Sequence, residues 1–185
     1  MRIYLTGYML SGKTTIGHKL AVRLGYHWLD LDQMIETTFH TTIPIFFSRY
    51  GEQAFRKIEQ KLLHRTADLD NTVISTGGGT PCHFDNMQWI NRHGKSVYFD
   101  VAPDTILRRA AQSRKNRPIL AGMTPEERSL HVRQQLEQRM PYYRQAQIIF
   151  PADNPDLADL VNRLEHLLKA DNAQPNGPQP SAQTE

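Results

Sequence analysis

Apolar residues recur along this chain of 185 residues in two alternating patterns. Short apolar runs typical of buried strands, such as Ile3-Tyr4-Leu5 and Val73-Ile74, alternate with segments in which apolar residues return every three or four positions. In the first such segment Ile16, Leu20 and Leu24 share one helical face, and a glycine follows where a helix would end. The pattern predicts strands near residues 3–5, 27–31, 73–74, 96–101 and 147–150, and further helices near residues 33–38, 44–50, 52–69, 84–92, 103–111, 125–140 and 156–169.

Strands that alternate with helices predict an α/β fold, in which a parallel sheet is covered on both faces. We expect one domain over residues 1–170, with its ligands bound beyond the carboxyl ends of the strands. The basic, polar connection over residues 112–124 is predicted to be a lid or binding loop. Residues 171–185 contain no large apolar side chain and are predicted to form a disordered tail.

The composition of the chain limits the classes of ligand and partner that it can bind. The formal charge of +3 comes without a long Lys/Arg run, which favours small anionic ligands over nucleic acid. No apolar stretch approaches the roughly 20 residues of a membrane span, and the N-terminus does not resemble a signal peptide. We therefore expect a cytoplasmic protein with no membrane partner, and a monomer by default. The single cysteine, Cys82, excludes an internal disulfide.

Residues 7–14, GYMLSGKT, match the phosphate-loop pattern G-x-x-x-x-G-K-[ST] in full. In such a loop backbone N–H groups hold a polyphosphate, while Lys13 contacts the β/γ-phosphates, the Thr14 hydroxyl binds Mg²⁺ and Thr15 lies near the α-phosphate. The alternatives are an ordinary strand-to-helix turn with a solvated Lys13, and a simple capping role for Thr14. A cation in the first helical turn opposes the helix dipole unless an anion binds there, so the sequence favours a nucleoside triphosphate site.

Two carboxylates follow the predicted second strand in the segment WLDLD. If residues 28–32 are extended, Asp30 and Asp32 share one side while Leu31 points to the core. Such a pair could hold the water of a metal ion and orient a hydroxyl nucleophile. Alternatively, Asp32 caps the next helix.

Arg56 and the run Gly77-Gly78-Gly79 are further candidates. From the residues alone, Arg56 is interpreted as one half of an intrahelical pair with Glu52 or Glu59. Three successive glycines indicate either a close approach of the main chain to a ligand or unusual φ angles.

Several arginines lie near the predicted lid. Arg117 in that connection could carry charge to a transferring phosphoryl group when the loop closes, although a solvated basic loop is the alternative. Arg108, Arg109 and Arg139 lie on the flanking helices, and a solvated role is favoured for Arg108.

Together, the segments GYMLSGKTT, DLD, GEQAFRKIE, STGGGTP, NRPIL and QRMPYY resemble the shikimate kinase family in order and approximate spacing, over residues 3–169. The resemblance implies a P-loop kinase fold, with a five-stranded parallel sheet in the order 2-3-1-4-5 and a mobile lid. It also implies transfer of the ATP γ-phosphate to the 3-hydroxyl of shikimate, on the route to chorismate and the aromatic amino acids.

The resemblance assigns a role to each candidate residue. Lys13, Asp32 and Arg117 are the implied catalytic residues, and Thr14 and Asp30 the implied Mg²⁺ partners, with Asp30 acting indirectly. The implied ATP site consists of Leu10, Ser11, Gly12, Lys13, Thr14, Thr15, Arg109 and Arg117. The implied shikimate site consists of Asp32, Arg56, Gly77, Gly78, Gly79 and Arg139, so the resemblance replaces the intrahelical interpretation of Arg56.

Two features depart from the family pattern. Leu10 lies where the family commonly has glycine, and PADNP follows the last strand, where the family has a nucleotide-contacting segment.

The remaining alternatives for the function are a P-loop kinase for gluconate or a nucleoside monophosphate, and a nucleotide-gated switch or nucleic-acid ATPase. The chain lacks the N-K-x-D motif, and it lacks a D-x-x-G motif after a strand, both of which a switch would need.

Overall fold

The computed structural model describes residues 1–113 and 122–173. Within them, five parallel strands form one sheet in the order β2-β3-β1-β4-β5, which confirms the predicted fold class. The strands are β1 (Arg2–Thr6), β2 (His27–Asp30), β3 (Thr72–Ser75), β4 (Lys95–Asp100) and β5 (Ile148–Pro151).

Seven helices connect and cover these strands in the described part of the chain. They are α1 (Lys13–Leu24), α2 (Leu31–Phe39), α3 (Ile43–Arg65), α4 (Asn86–His93), α5 (Pro103–Gln112), α6 (Pro125–Tyr143) and α7 (Leu157–Ala173). Short 3₁₀ turns cover Thr66–Asp68 and Thr80–Cys82. No helix in these segments is long and apolar enough to cross a bilayer.

The alternation of side chains along β1 separates two apolar cores. Ile3 and Leu5 belong to one buried cluster, to which α1, α6 and α7 contribute. Tyr4, between them, belongs to a second cluster with residues of α2, α3 and α4. Since successive side chains of a strand point to opposite faces, the sheet is covered on both sides, and its carboxyl edge is left for the loops that carry the candidate residues.

Some predicted boundaries are wrong. The two helices predicted over residues 44–50 and 52–69 form the single span α3, in which Gly51 has a non-helical φ of 77° and which ends at Arg65. The helix α7 continues to Ala173, three residues into the segment expected to be a tail. Residues 114–121, which include Arg117, and residues 174–185 lie outside the described residues.

Candidate functional site

The phosphate loop connects β1 to α1 and encloses the side chain of Lys13. Gly7 and Gly12 have φ angles of 133° and 102°, which L side chains rarely adopt. The Lys13 Nζ donates to the carbonyls of Gly7 (2.7 Å) and Tyr8 (2.8 Å), and this lysine is only 7% exposed. The alternative of a solvated Lys13 is therefore wrong.

An open cavity of about 410 Å³ lies at this loop. It is lined by residues 10–16 together with Arg109 and Pro155. The amino end of α1 faces it, and helix amino ends attract anions through their unpaired N–H groups and dipole. The cavity therefore combines a phosphate-binding loop with room for a nucleotide.

Asp30 connects the phosphate loop to the second strand. The Thr14 hydroxyl donates to Asp30 Oδ2 at 2.9 Å, and Asp30 Oδ1 accepts from the backbone N–H groups of Asp32 and Gln33. Asp30 is thus the N-cap of α2. The condition that residues 28–32 are extended is not met, because β2 ends at Asp30, one residue before the predicted strand end, and the chain turns into the helix at Leu31. The alternative that Asp32 is the cap is also wrong, although Leu31 is buried as predicted.

Asp32 lies in the first turn of α2, where its carboxylate faces Gly77 in the loop of residues 77–79, here called the glycine loop. Burial raises the pKa of Asp32 from 3.8 to about 6, and the negative charges of Asp30 and Glu59 contribute to the rise, while Lys13 opposes it. A methyl group at Gly77 would lie 2.6 Å from Asp32 Oδ1. A strongly raised pKa beside other candidate site residues is typical of a residue that handles a proton.

Arg56 forms two carboxylate contacts and also packs against the glycine loop. Its Nη1 donates to Glu59 Oε2 at 2.8 Å, while Nη2 and Nε donate to Glu52 Oε1 at 3.0 and 3.2 Å. Burial alone would lower the pKa of Arg56, but the charges of Glu59 and Glu52 outweigh it and raise the pKa. The intrahelical pair is therefore present, and a methyl group at Gly79 would lie 2.7 Å from the Arg56 Nη2.

Steric crowding explains why three successive glycines form the glycine loop. None of the three glycines has a left-handed φ, so the alternative of unusual φ angles is wrong. Instead, side chains at Gly77, Gly78 and Gly79 would meet, respectively, Asp32 at 2.6 Å, the Met9 backbone N at 3.2 Å and Arg56 at 2.7 Å. Real Cβ atoms essentially never come within 3.0 Å of another heavy atom, so side chains at Gly77 and Gly79 would clash. The loop therefore needs glycine to fit between the phosphate loop and the candidate acceptor residues.

Arg139 reaches the same loop from α6. Its guanidinium carbon lies 5.3 Å from the centroid of the Tyr8 ring, and a methyl group at Gly78 would lie 3.6 Å from Arg139 Nη1. Burial raises the pKa of Cys82 to about 11 against the opposing charges of both Arg139 and Arg56. Arg139 at Gly78 and Arg56 at Gly79 therefore approach the same glycine loop from two helices.

Arg109 joins two loops at the nucleotide cavity. It donates to the carbonyls of Leu10 (2.9 Å), Ala152 (2.8 Å) and Asp153 (2.9 Å). Leu10 itself has a left-handed φ of 62°, the conformation that glycine adopts without strain. Arg109 thus fixes the phosphate loop to the segment after β5.

Sequence reasoning named Glu59 only as a possible partner of Arg56 and assigned no role to Tyr143, although both residues support the site. Glu59, only 1% exposed, accepts both from Arg56 and from the Thr80 hydroxyl (2.5 Å). Tyr143 is fully buried and donates to the Gly78 carbonyl at 2.6 Å. The spacing of Tyr143 four residues after Arg139 could have indicated a shared helical face.

Comparison with known proteins identifies a match over most of the chain. The shikimate kinase family model matches residues 9–169. A shikimate kinase of Bacteroides thetaiotaomicron is 45% identical over 173 residues, which cover 91% of this chain and 99% of the relative. A shikimate kinase of Thermoanaerobacter pseudethanolicus is 35% identical and covers 91% of this chain and 94% of the relative.

Solved structures agree with these relatives. The crystal structure of the shikimate kinase from B. thetaiotaomicron has a TM-score of 0.85 at 46% identity, covering 91% of this chain and 98% of that one. The shikimate kinase from Acinetobacter baumannii in complex with shikimate has a TM-score of 0.79 at 32% identity, covering 94% and 95%. A gluconokinase from Sinorhizobium meliloti has a TM-score of 0.60 at 14% identity, covers 95% and 97%, and shares the fold alone.

Proposed function

Because this chain belongs to the shikimate kinase family, we propose that it transfers the γ-phosphate of ATP to the 3-hydroxyl of shikimate, giving shikimate 3-phosphate and ADP. This reaction is a step towards chorismate and the aromatic amino acids. The observation that carries the proposal is the placement of Arg56, Arg139 and Asp32 around one glycine loop, which itself abuts the phosphate loop. Two arginines and a carboxylate grouped at a loop beside a nucleotide cavity suit a small carboxylated alcohol.

The nucleotide is assigned to the cavity at the phosphate loop. Residues 10–15 supply the backbone N–H groups and the hydroxyl and ammonium groups that hold the phosphates. Lys13 already lies inside the loop, where a phosphate oxygen can replace the Gly7 and Tyr8 carbonyls as its partner. Arg109 is assigned to the adenine end on the family resemblance, supported by its position in the cavity lining.

We assign Mg²⁺ to the Thr14 hydroxyl, with Asp30 as an indirect partner. The Thr14 hydroxyl and the Asp30 carboxylate are 2.9 Å apart, and hard oxygen donors in small number suit Mg²⁺, which keeps most of its water. When bound, the ion neutralises charge on the β- and γ-phosphate oxygens. Asp30 also caps α2, so its carboxylate is held in a fixed position before any ion arrives.

The carboxylate of shikimate is assigned to Arg56 and Arg139. Glu52 is 61% exposed, so its bond to Arg56 is weak and a substrate carboxylate can replace it, whereas the buried Glu59 keeps the guanidinium in place. Arg–carboxylate pairs favour bidentate geometry. A neutral polyol has no carboxylate with which to replace Glu52 at Arg56 and is therefore discriminated against.

Asp32 is assigned to the substrate hydroxyl. Phosphoryl transfer passes through a loose transition state, which needs alignment and charge neutralisation more than a strong base. Asp32 orients the 3-hydroxyl and accepts its proton late, while Lys13 neutralises the transferring group. Arg117, which lies outside the described residues, is assigned to the same group on the family resemblance.

We further propose that the protein acts as a monomer in the cytoplasm, without a nucleic-acid partner. Every assigned side chain belongs to one chain, so one copy is sufficient for the reaction. Size-exclusion chromatography with light scattering tests the monomer, which a stable dimer at working concentration would contradict.

A side-by-side phosphorylation assay tests the reaction. The purified protein is incubated with ATP and Mg²⁺ and with shikimate, gluconate or AMP as the acceptor, and ADP and the phosphorylated product are measured. We expect a product from shikimate alone. Transfer to gluconate or AMP in its place, or ATP binding without any shikimate phosphate, would show that the assigned acceptor is wrong.

A further inference from the structure

Tyr143 occupies a position that connects α6 to the glycine loop. Its side chain is fully buried and stacks on Tyr98, with ring centroids 5.0 Å apart and planes 19° apart. Its hydroxyl donates to the Gly78 carbonyl at 2.6 Å, across 65 residues of sequence. Arg139, one helical turn earlier on α6, approaches the same glycine.

This hydrogen bond determines which way a peptide group of the loop faces. The Gly78–Gly79 peptide is trans, and in a planar trans peptide the C=O and the following N–H point in opposite directions. With the Gly78 carbonyl held by Tyr143, the Gly79 N–H faces away from that tyrosine. Within the described part of the chain the Gly79 N–H donates to no backbone carbonyl, so it remains available as a donor.

The carbonyls on either side of the Gly78 carbonyl already accept backbone N–H groups, Gly77 from Thr80 (3.2 Å) and Gly79 from Cys82 (2.9 Å). Glycine has no Cβ, and three glycines in succession give the loop more backbone freedom than any other sequence would. The Gly78 carbonyl between them depends on Tyr143 for its orientation, since no other hydrogen bond within the described residues reaches it. Burial raises the pKa of Tyr143, so its hydroxyl keeps the proton it donates.

We propose that Tyr143 is a positioning residue for the acceptor site: its hydroxyl fixes the Gly78–Gly79 peptide, so that the glycine loop presents its N–H groups and Arg139 to the substrate in one arrangement. The inference rests on the proposed function. It predicts a role in binding shikimate and none in binding ATP, because the contacts of Tyr143 lie on the side of the glycine loop and α6.

Tyr98 supplies a matched control. Its side chain is also buried and stacks on Tyr143, and its hydroxyl donates to Asp100 Oδ1 at 3.0 Å and approaches Met140 Sδ at 3.7 Å, with no hydrogen bond to the glycine loop among the described residues. Tyr143→Phe and Tyr98→Phe therefore remove the same atom from adjacent rings. Steady-state constants for both substrates are measured for each variant, together with Tm.

We expect Tyr143→Phe to raise the KM for shikimate by about tenfold while the KM for ATP stays within about twofold, in line with the loss of one hydrogen bond to a buried carbonyl. Tyr98→Phe should lower Tm comparably and leave the KM for shikimate within about twofold. An unchanged KM for shikimate in Tyr143→Phe, or an equal rise in Tyr98→Phe, would overturn the inference.

A second replacement keeps the test decisive if Tyr143→Phe does not fold. Replacement of Tyr143 by 4-aminophenylalanine retains a weaker donor at the same place, so the KM for shikimate should rise by only about threefold. A KM for shikimate raised by about tenfold despite the retained donor contradicts a positioning role for this hydrogen bond. The unmodified protein is assayed first, since its failure to phosphorylate shikimate refutes the proposed reaction and not the role of Tyr143.

Discussion

Replacing Asp32 by asparagine should stabilise the ligand-free protein and inactivate it at the same time. The pKa of Asp32 is raised from 3.8 to about 6, chiefly by burial and by the charges of Asp30 and Glu59. The ionised carboxylate is therefore less favourable in the folded state than in the unfolded chain. An asparagine side chain carries no charge at this position, so the variant avoids this penalty.

The magnitude follows from the difference between a pKa of 3.8 and one of about 6, which corresponds to about 3 kcal/mol as an upper value. Because the folded pKa is raised, protonated Asp32 carries no penalty. Its contribution to stability is fully present below pH 3.8 and is lost as the pH rises through about 6. The gain of Asp32→Asn over the unmodified protein should therefore be near zero at about pH 4 and largest above about pH 7. At about 2–4 °C per kcal/mol, the Tm difference at the upper end of this range should reach several degrees.

Activity should move in the opposite direction. Loss of the carboxylate that orients and deprotonates the acceptor hydroxyl should lower kcat by about 10²-fold or more, with nucleotide affinity nearly unchanged. The assay is thermal unfolding without ligands between about pH 4 and pH 8, combined with steady-state kinetics and ATP titration.

Asp159→Asn is the control. Asp159 lies in an exposed pair with Arg163, so its Tm difference should be small at every pH. A ligand-free Asp32→Asn protein that is less stable than the unmodified one above about pH 7, or whose gain does not change with pH, would refute the reasoning.

Three further predictions concern the neighbouring residues. Arg56→Lys should raise the KM for shikimate by about tenfold or more and leave ATP affinity nearly intact, since lysine lacks the bidentate fork; equal losses for both substrates would contradict the assignment. Gly79→Ala should also raise the KM for shikimate, because its methyl group would lie 2.7 Å from Arg56 Nη2; unchanged kinetics would show that the guanidinium can move. Tyr8→Phe should raise the stability by about 1 kcal/mol, because the Tyr8 hydroxyl is buried and has no hydrogen-bond partner among the described residues; a lower Tm would reveal one.

The sequence predicted those parts of the molecule in which local pattern and structure agree. The alternation of strands and helices indicated the α/β class, and the resemblance supplied the strand order that the structure confirms. The phosphate loop was recognisable because its glycines and lysine are close together in sequence. The interpretation of Lys13 as a phosphate-binding residue rested on neighbouring residues alone.

Contacts between distant segments were not predictable. Whether β2 ended at Asp30 or Asp32 depended on which carboxylate captured the free N–H groups of α2, a competition that spacing alone does not settle. The glycine loop was ambiguous because its crowding comes from Asp32 and Arg56, which lie 45 and 23 residues earlier in the chain. The hydrogen bond of Tyr143 joins elements 65 residues apart and leaves no local pattern.

The contacts of Arg109 have a consequence for inhibitor design. Three backbone carbonyls already accept from the edge of its guanidinium group, so a compound that directs an acid or amide at that edge must first break protein hydrogen bonds. A flat heteroaromatic ring makes no such demand, since it uses the face of the guanidinium group and leaves the edge undisturbed. Medicinal chemistry at this end of the cleft should therefore favour stacking scaffolds over anionic substituents.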